Sequence, residues 1–161
     1  KPTMTNVQRF SFFFLRLAMG WVFFYAGVTK LFNPAWSAAG YLVKAKTFPA
    51  LFAWFASPDI LPWTNAVNEW ALTLLGISLL LGLFVRLSSW LGILLMALYY
   101  FPVLQFPMIP PSSFLIDQHV VYALVLWLFV SHRVGRVIGL DTWCAGLPLC
   151  KRYPALRRWV G

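Results

Sequence analysis

Four long apolar runs dominate the pattern of hydrophobic and polar positions along the chain. They cover Phe10 to Leu31, about Asn65 to Val85, Leu87 to Leu104, and roughly Phe114 to Arg133. Each is close to the ~20 residues that cross a ~30 Å hydrocarbon core. Only helices or closed barrels cross lipid with every backbone group hydrogen-bonded, and unbroken runs of this length are typical of helices. The pattern predicts an all-α integral membrane protein, a four-transmembrane-helix bundle.

The segment between the first two runs, residues 32–64, is long for so small a protein. Loops longer than ~15 residues are usually functional or contain structure of their own. Apolar residues recur in it at helical spacing, with Lys44 and Thr47 on the opposite side: Tyr41, Ala45, Phe48, Phe52 and Phe55. This pattern predicts an amphipathic segment that lies as a lid over the outer end of the bundle.

Composition supports the membrane assignment and charge orients it. The 161 residues are 61% hydrophobic and 11% charged, with a formal charge of +9, whereas soluble domains carry about 25% charged residues. No basic run is interleaved with an exposed aromatic platform as in nucleic-acid-binding proteins. Cytoplasmic loops of membrane proteins are enriched in Lys and Arg. The basic residues on the side of the two termini are Lys1, Arg9, Arg86, Arg133, Arg136, Lys151, Arg152, Arg157 and Arg158.

The opposite side carries only Lys30, Lys44 and Lys46, so we expect both termini in the cytoplasm of a multi-pass protein of the inner membrane. The first run is too long for a signal-peptide core, and we expect it to be a retained span. Residues 1–143 then form the membrane domain, and residues 144–161 form a basic cytoplasmic tail. Its Cys144 and Cys150 are interpreted as two unpaired thiols rather than a disulfide or a zinc site.

Small residues indicate where helices approach one another. Gly20 and Gly27 lie seven residues apart on one face of the first helix, and Ser88 and Gly92 form a small-xxx-small pair on the third. We interpret both pairs as packing positions.

Ionisable groups at hydrocarbon depth are costly and are candidates for function. Arg16 lies about two turns into the first helix, from where a long side chain can snorkel to the cytoplasmic interface. The other polar residues fall at the outer ends of their helices: Lys30, Asn68, Glu69, Asp117 and His119, with Trp70 beside Glu69. The four-span topology gathers them beneath the long loop.

The fourth apolar run is short for a span. Val120 to Val130 is eleven residues, about 16 Å of helix. We therefore expect Asp117, Gln118 and His119 to lie inside the outer boundary of the membrane. Asp117 is a candidate helix N-cap, and residues two apart in a helix need not face each other. An arrangement that pairs Asp117 or Glu69 with Lys30 leaves His119 to face an outer pocket.

A carboxylate and a histidine at an aromatic-rich membrane edge are the groups that proton transfer to a quinone headgroup needs. The sequence thus nominates His119, Glu69 and Asp117 as catalytic residues, and Lys30, Asn68 and Trp70 as residues that bind a quinone cofactor. No CxxCH, iron-sulfur spacing, P-loop or dinucleotide fingerprint occurs, and no metal site is predicted. His119 and His132 lie at opposite ends of one helix, so they are a poor heme pair.

Three segments resemble the DoxX/DoxD family. They are "LRLAMGWVFFYAGVTKLFNPAW", "NEWALTLLGISLLLGLFVRLSSWLG", and "DQHVVYALVLWL" with a trailing "GLDTW". The resemblance covers about residues 10 to 143. Its motifs are Gly27 with Lys30, Asn68-Glu69, Arg86, Asp117 with His119, and Gly139-Leu140-Asp141.

The resemblance implies a small four-helix membrane protein. The DoxD branch is the membrane subunit of thiosulfate:quinone oxidoreductase, which works with a DoxA subunit, so the resemblance also implies protein partners and a thiosulfate-like substrate. One alternative is a non-catalytic accessory subunit that scaffolds a larger respiratory or photosynthetic complex, which the 19% aromatic content fits. A small-molecule permease is a third, but no inverted repeat or pair of broken helices supports it.

Overall fold

The computed structural model describes residues 4–109 and 113–146, and within them the chain is almost entirely helical. The elements are α1 (Asn6–Leu31), α2 (Ala39–Leu42), α3 (Pro49–Phe55), α4 (Leu61–Leu81), α5 (Val85–Val103), β1 (Met108–Ile109), β2 (Ser113–Phe114), α6 (Gln118–His132), a 3-10 turn (Val134–Arg136) and α7 (Leu140–Gly146). β1 and β2 pair antiparallel in the segment between α5 and α6. Of the predicted tail, residues 144–146 belong to α7, where Cys144 is buried. Residues 147–161, including Cys150, lie outside the described residues.

Local sequence explains where the long helices begin and end. Thr5 and Gln8 form a reciprocal capping box at the start of α1, which satisfies two amides that have no partner inside the helix. Pro62 lies in the first turn of α4, where its missing N–H costs nothing. Gly82 ends α4 with φ of +67°, a left-handed conformation that glycine adopts without strain.

The backbones of α1 and α4 approach very closely at glycines. A Cβ atom on Gly20 would lie 2.9 Å from the Leu80 backbone nitrogen, and one on Gly27 would lie 2.5 Å from that of Thr73. Gly76 of α4 meets Phe24 of α1 in the same way. The prediction that Gly20 and Gly27 are packing positions is confirmed by this contact.

A single core fills the space between α1, α4, α5 and α6. Its fully buried members include Leu79 of α4, Val85 of α5, and Leu126 and Phe129 of α6. Gly92, the predicted small residue of α5, lies where a Cβ would meet the Leu126 side chain. The two main packing pairs are α1 with α4 and α5 with α6.

Arg16 does not snorkel, contrary to the expectation from sequence. Its side chain is only 1% exposed. The guanidinium donates to the backbone carbonyls of Val134, Val137 and Ile138, with an Nη2 to oxygen distance of 2.9 Å for Ile138. The chain after α6 folds back over the end of the bundle, so Arg16 finds carbonyl partners inside the protein and has no need to reach the interface.

Asp141 ties the same end of the fold together. Its carboxylate is fully buried and accepts from the backbone amides of Phe84 and Val85, at 2.7 and 3.3 Å, and so caps the start of α5. Burial raises the pKa of this carboxyl, while those two amides and the nearby Arg16 favour its charged form. The glycine-leucine-aspartate turn noted in the sequence therefore has a structural role.

The first loop forms two short helices instead of one amphipathic segment. The break falls at Phe48, which has a left-handed backbone (φ 53°) and is 58% exposed, directly before Pro49. The spacing predicted that Phe48 lies on the buried side, and the structure shows it exposed. The reason is that proline disfavours right-handed helical geometry in the residue before it. The buried members of this small cluster are Ala38, Leu42, Ala45 and Phe52.

The loop covers one end of the bundle and is fixed to it by hydrogen bonds. Ala38 donates its backbone N–H to the Asn65 side chain of α4 at 2.9 Å. Thr47 donates its hydroxyl to the Leu104 carbonyl at 2.8 Å. We call residues 32–60 the lid.

Among the described residues, α1 and α5 are long and apolar enough to cross a membrane, and α6 is apolar but shorter. The twenty-one residues of α4 carry Asn65, Asn68 and Glu69 in its first half. The fourth apolar run becomes a helix only from Gln118, not from Phe114, because Phe114 lies in β2 and Asp117 caps α6.

We expect Arg16→Met to lower the free energy of unfolding by about 2–5 kcal/mol, because it removes the guanidinium donor from the carbonyls of Val137 and Ile138 and removes the positive charge near buried Asp141. Thermal unfolding in a mild detergent measures the effect. Arg9→Met, an exposed position on the same helix, is the matched control. Equal stability of the two variants would contradict the structural role of Arg16.

Candidate functional site

A cavity of about 380 Å³ lies between the lid and the ends of α1, α4 and α5. This volume is within the range of small-molecule sites, roughly 300–1,000 Å³. Its wall is mainly apolar and aromatic, with a few polar groups. The aromatic members of the lining are Trp36, Tyr41, Phe52, Phe55, Trp63 and Tyr99.

Lys30 supplies the positive charge of the cavity. It is half-buried at the end of α1, where its ammonium donates to the Ala26 carbonyl at 3.0 Å and lies 5.4 Å from the ring centroid of Trp36. Glu69 interacts with it electrostatically, but the two groups do not form an ion pair. An ammonium group has three N–H donors, so Lys30 can also donate to a ligand.

Two tyrosines join the lid to the helices at the cavity wall. The Tyr99 hydroxyl donates to the Asn68 side-chain oxygen at 2.8 Å, and the Tyr41 hydroxyl donates to the Tyr99 carbonyl. Burial, together with the nearby Tyr99 and Asp117, raises the pKa of the Tyr41 hydroxyl. The hydroxyl therefore stays protonated at physiological pH and acts as a hydrogen-bond donor.

Asp117 is both a helix cap and the partner of His119. One carboxylate oxygen accepts from the backbone amides of His119 and Val120, at 2.9 and 3.2 Å. The other lies 2.5 Å from the Nδ1 atom of His119. The pair is largely buried, with 9% of the Asp117 side chain and 16% of the His119 side chain exposed.

The interpretation from sequence left open whether these two side chains face each other, and the structure shows that they meet. That interpretation assumed that both belong to the helix, where residues two apart point in different directions. Asp117 is instead the N-cap and has an extended backbone (φ −117°, ψ −174°), which turns its side chain back over the first turn of α6. Lys30 forms an ion pair with neither Asp117 nor Glu69, so the arrangement considered from sequence is not the one in the structure.

His119 lies behind the cavity wall rather than in its lining. Its ring is stacked on the ring of Tyr99, with centroids 5.5 Å apart and planes 6° apart. Tyr99 itself lines the cavity. The Asp117–His119 pair thus lies outside the cavity lining and contacts the cavity wall through the Tyr99 ring.

The structure divides the residues nominated from sequence into three groups. Lys30 and Asn68 line the cavity, and Asp117 with His119 forms the pair behind Tyr99. Glu69 is half-buried near Lys30 and outside the lining, and Trp70 is 55% exposed and also outside it.

Sequence reasoning missed Tyr99 and gave Tyr41 only a place on the apolar side of the lid. Tyr99 joins the cavity to His119, and Tyr41 joins the lid to α5. The available signal was the position of Tyr99 at the outer end of an apolar run, at the level of Lys30 and Asn68. Tyrosine is enriched at membrane interfaces in general, which makes that signal unspecific.

Comparison with known proteins gives one family. The model of the DoxX family matches residues 11–104, more than half of the chain. This match includes α1, the lid, α4 and α5, and so contains every element that lines the cavity. The comparisons with curated proteins and with solved structures found no match. The resemblance seen in the sequence is confirmed: the chain belongs to the DoxX family and is a membrane protein.

Proposed function

We propose that this chain is the membrane subunit of a quinone-linked oxidoreductase and binds the quinone headgroup in the cavity beneath the lid. The observation that carries the proposal is the composition of that cavity. An apolar, aromatic pocket with Lys30, Tyr41 and Asn68 in its lining is in contact, through Tyr99, with an aspartate–histidine pair.

The donor set fits a quinone. A quinone headgroup is flat and carries carbonyl oxygens, so it needs aromatic walls and hydrogen-bond donors. Trp36 and Phe52 provide flat apolar surface, and the Lys30 ammonium provides charged N–H donors. A bound quinone takes up electrons and protons when it is reduced and releases them when it is oxidised.

The chain's own contribution would be to exclude water and to hold a proton close to the headgroup. The lid covers the cavity and is held by the hydrogen bonds of Ala38 and Thr47. Asp117 fixes Nδ1 of His119 and so orients the imidazole. An imidazole can donate or accept a proton at its ring nitrogens, and His119 is the group that exchanges protons in this proposal.

A partner subunit would supply the electrons. The family resemblance to the membrane subunit of thiosulfate:quinone oxidoreductase supports a small sulfur compound as the donor. In this proposal the partner binds on the outer side, where the lid lies.

The proposed topology has four spans, α1, α4, α5 and α6, in the inner membrane, with both termini in the cytoplasm. The length of α4, about 31 Å for its twenty-one residues, and the distribution of basic residues support it.

Labelling with a membrane-impermeant maleimide tests this topology. In a background with Cys144 and Cys150 replaced by serine, we expect Lys44→Cys to react in intact cells, whereas Arg9→Cys reacts only after the membrane is opened. Reaction of Arg9→Cys from outside would contradict the proposed orientation.

Quinone binding can be followed by quenching of tryptophan fluorescence, since Trp36 and Trp63 line the cavity. We expect Lys30→Met to weaken the binding of a soluble quinone analogue by about tenfold, because a hydrogen bond from a charged donor contributes roughly 1.5–3 kcal/mol. Lys44→Met, an exposed lysine of the lid outside the lining, serves as the control. Absence of saturable quenching in the wild type would refute the proposed site.

We expect His119→Ala to reduce quinone turnover by the purified complex by about 10²-fold, the lower end of what general acid–base catalysis contributes, with little change in quinone affinity. His132→Ala, at the other end of α6 and exposed, is the matched control. Normal turnover in His119→Ala would favour the accessory-subunit alternative.

A further inference from the structure

A second cavity, of about 460 Å³, runs between α4 and α5 and is almost entirely apolar. Its two hydroxyl groups are already satisfied within the protein: Ser78 and Ser88 are hydrogen-bonded to each other at 2.7 Å and to the carbonyls of Leu83 and Phe84. We call this cavity the α4–α5 groove. A molecule bound in the groove would contact almost only apolar side chains.

The groove continues the cavity beneath the lid. Leu95 of α5 lines both. On α4 residues that line the two cavities follow one another at intervals of three or four: Thr64, Asn68, Ala71, Leu75 and Ser78. Residues at that spacing share one face of a helix. The two cavities therefore lie end to end along the same face of α4.

The same continuity holds on α5. Ser88, Leu91 and Leu95 line the groove, and Leu95 and Leu98 line the cavity. Leu91 is 59% exposed and Leu98 is 40% exposed, as expected for residues at the edge of an opening. Because α5 is a candidate membrane span, we place lipid at this opening.

The groove is long enough for part of a hydrocarbon tail. From Ala71 to Leu81 it extends roughly 15 Å along α4, and its volume is about 460 Å³. Its continuity with the cavity beneath the lid, through Leu95, favours a tail that is attached to a headgroup in that cavity.

We infer that the α4–α5 groove binds the hydrocarbon tail of the ligand whose polar headgroup lies beneath the lid. The inference rests on the proposed function and adds the ligand class: a membrane-soluble quinone with one long apolar tail, which enters sideways from the lipid. The cavity beneath the lid carries the polar groups, and the α4–α5 groove is apolar. A quinone with a polar headgroup and a hydrocarbon tail has the same distribution of polar and apolar parts.

Two quinones with the same headgroup test the inference, one without a tail and one with a ten-carbon tail. In Ala71→Phe a larger side chain fills the groove below the cavity. We expect it to weaken binding of the tailed quinone by about tenfold or more, because it takes the place of several buried CH₂ groups. Binding of the tailless quinone should stay within about twofold of the wild type, since the headgroup cavity is unchanged.

The matched control is Ala66→Phe, the same substitution on an exposed face of α4 that lines neither cavity. It should leave the affinity for both quinones unchanged. Phenylalanine adds little to tryptophan fluorescence, so quenching serves as the readout. Because variants are compared with one ligand at a time, partition of the tail into detergent cancels.

Each outcome decides between the two proposals. Equal affinity of wild type and Ala71→Phe for the tailed quinone would overturn the groove while leaving the headgroup site intact. A change in oligomeric state of Ala71→Phe by cross-linking, with unchanged quinone affinity, would assign the groove to a second copy and also overturn the inference. Binding of neither quinone by the wild type would overturn the proposed function and the inference with it.

Discussion

The close approach of α1 and α4 is the constraint on which the rest of the structure depends. Gly20, Gly27 and Gly76 remove the side chains that would hold the two backbones apart. In lipid, helices gain no hydrophobic advantage from association, and close packing at small residues is a main source of their affinity. Because the contact has a fixed register, it also sets Lys30 of α1 at the level of Asn68 of α4. The position of the candidate site thus follows from helix packing.

The two ends of the bundle use their polar residues differently. At one end Arg16 and Asp141 are nearly or fully buried and bond to backbone groups, which fixes the chain after α6 against the start of α5. At the other end Lys30 is half-buried in the wall of a cavity, and the Asp117–His119 pair is largely buried close to that wall. Hydrogen bonds of this kind to the backbone stabilise the fold at the first end, whereas the Lys30 ammonium has further N–H donors beside the cavity and can bind a ligand.

The lid and the α4–α5 groove give the proposed site its selectivity. A ligand held by Lys30 under the lid would present its polar part to the aromatic cavity and its tail to hydrocarbon. The serine hydroxyls of the groove are already hydrogen-bonded within the protein, so they do not stabilise a polar tail. In the proposed function this arrangement favours membrane quinones over soluble ones, because burial of each CH₂ group contributes about 0.8 kcal/mol.

The sequence by itself determined the membrane class, the family, the positions of the long helices and the level of Lys30 and Asn68. The length of a hydrophobic run reflects the thickness of the membrane, and the distribution of basic residues reflects the orientation in it. Both can be read from the sequence without knowing which side chains are in contact. It also indicated the packing role of Gly20 and Gly27, because their spacing repeats with the helix.

Only the tertiary structure decided which polar groups meet. Arg16 found carbonyl partners because residues 134–138 fold back over it, a long-range contact that no local pattern reports. Asp117 reached His119 because a cap residue has extended backbone, and Tyr99 joined that pair to the cavity by stacking from another helix. These contacts depend on side-chain direction and on elements distant in sequence, and spacing along the chain specifies neither.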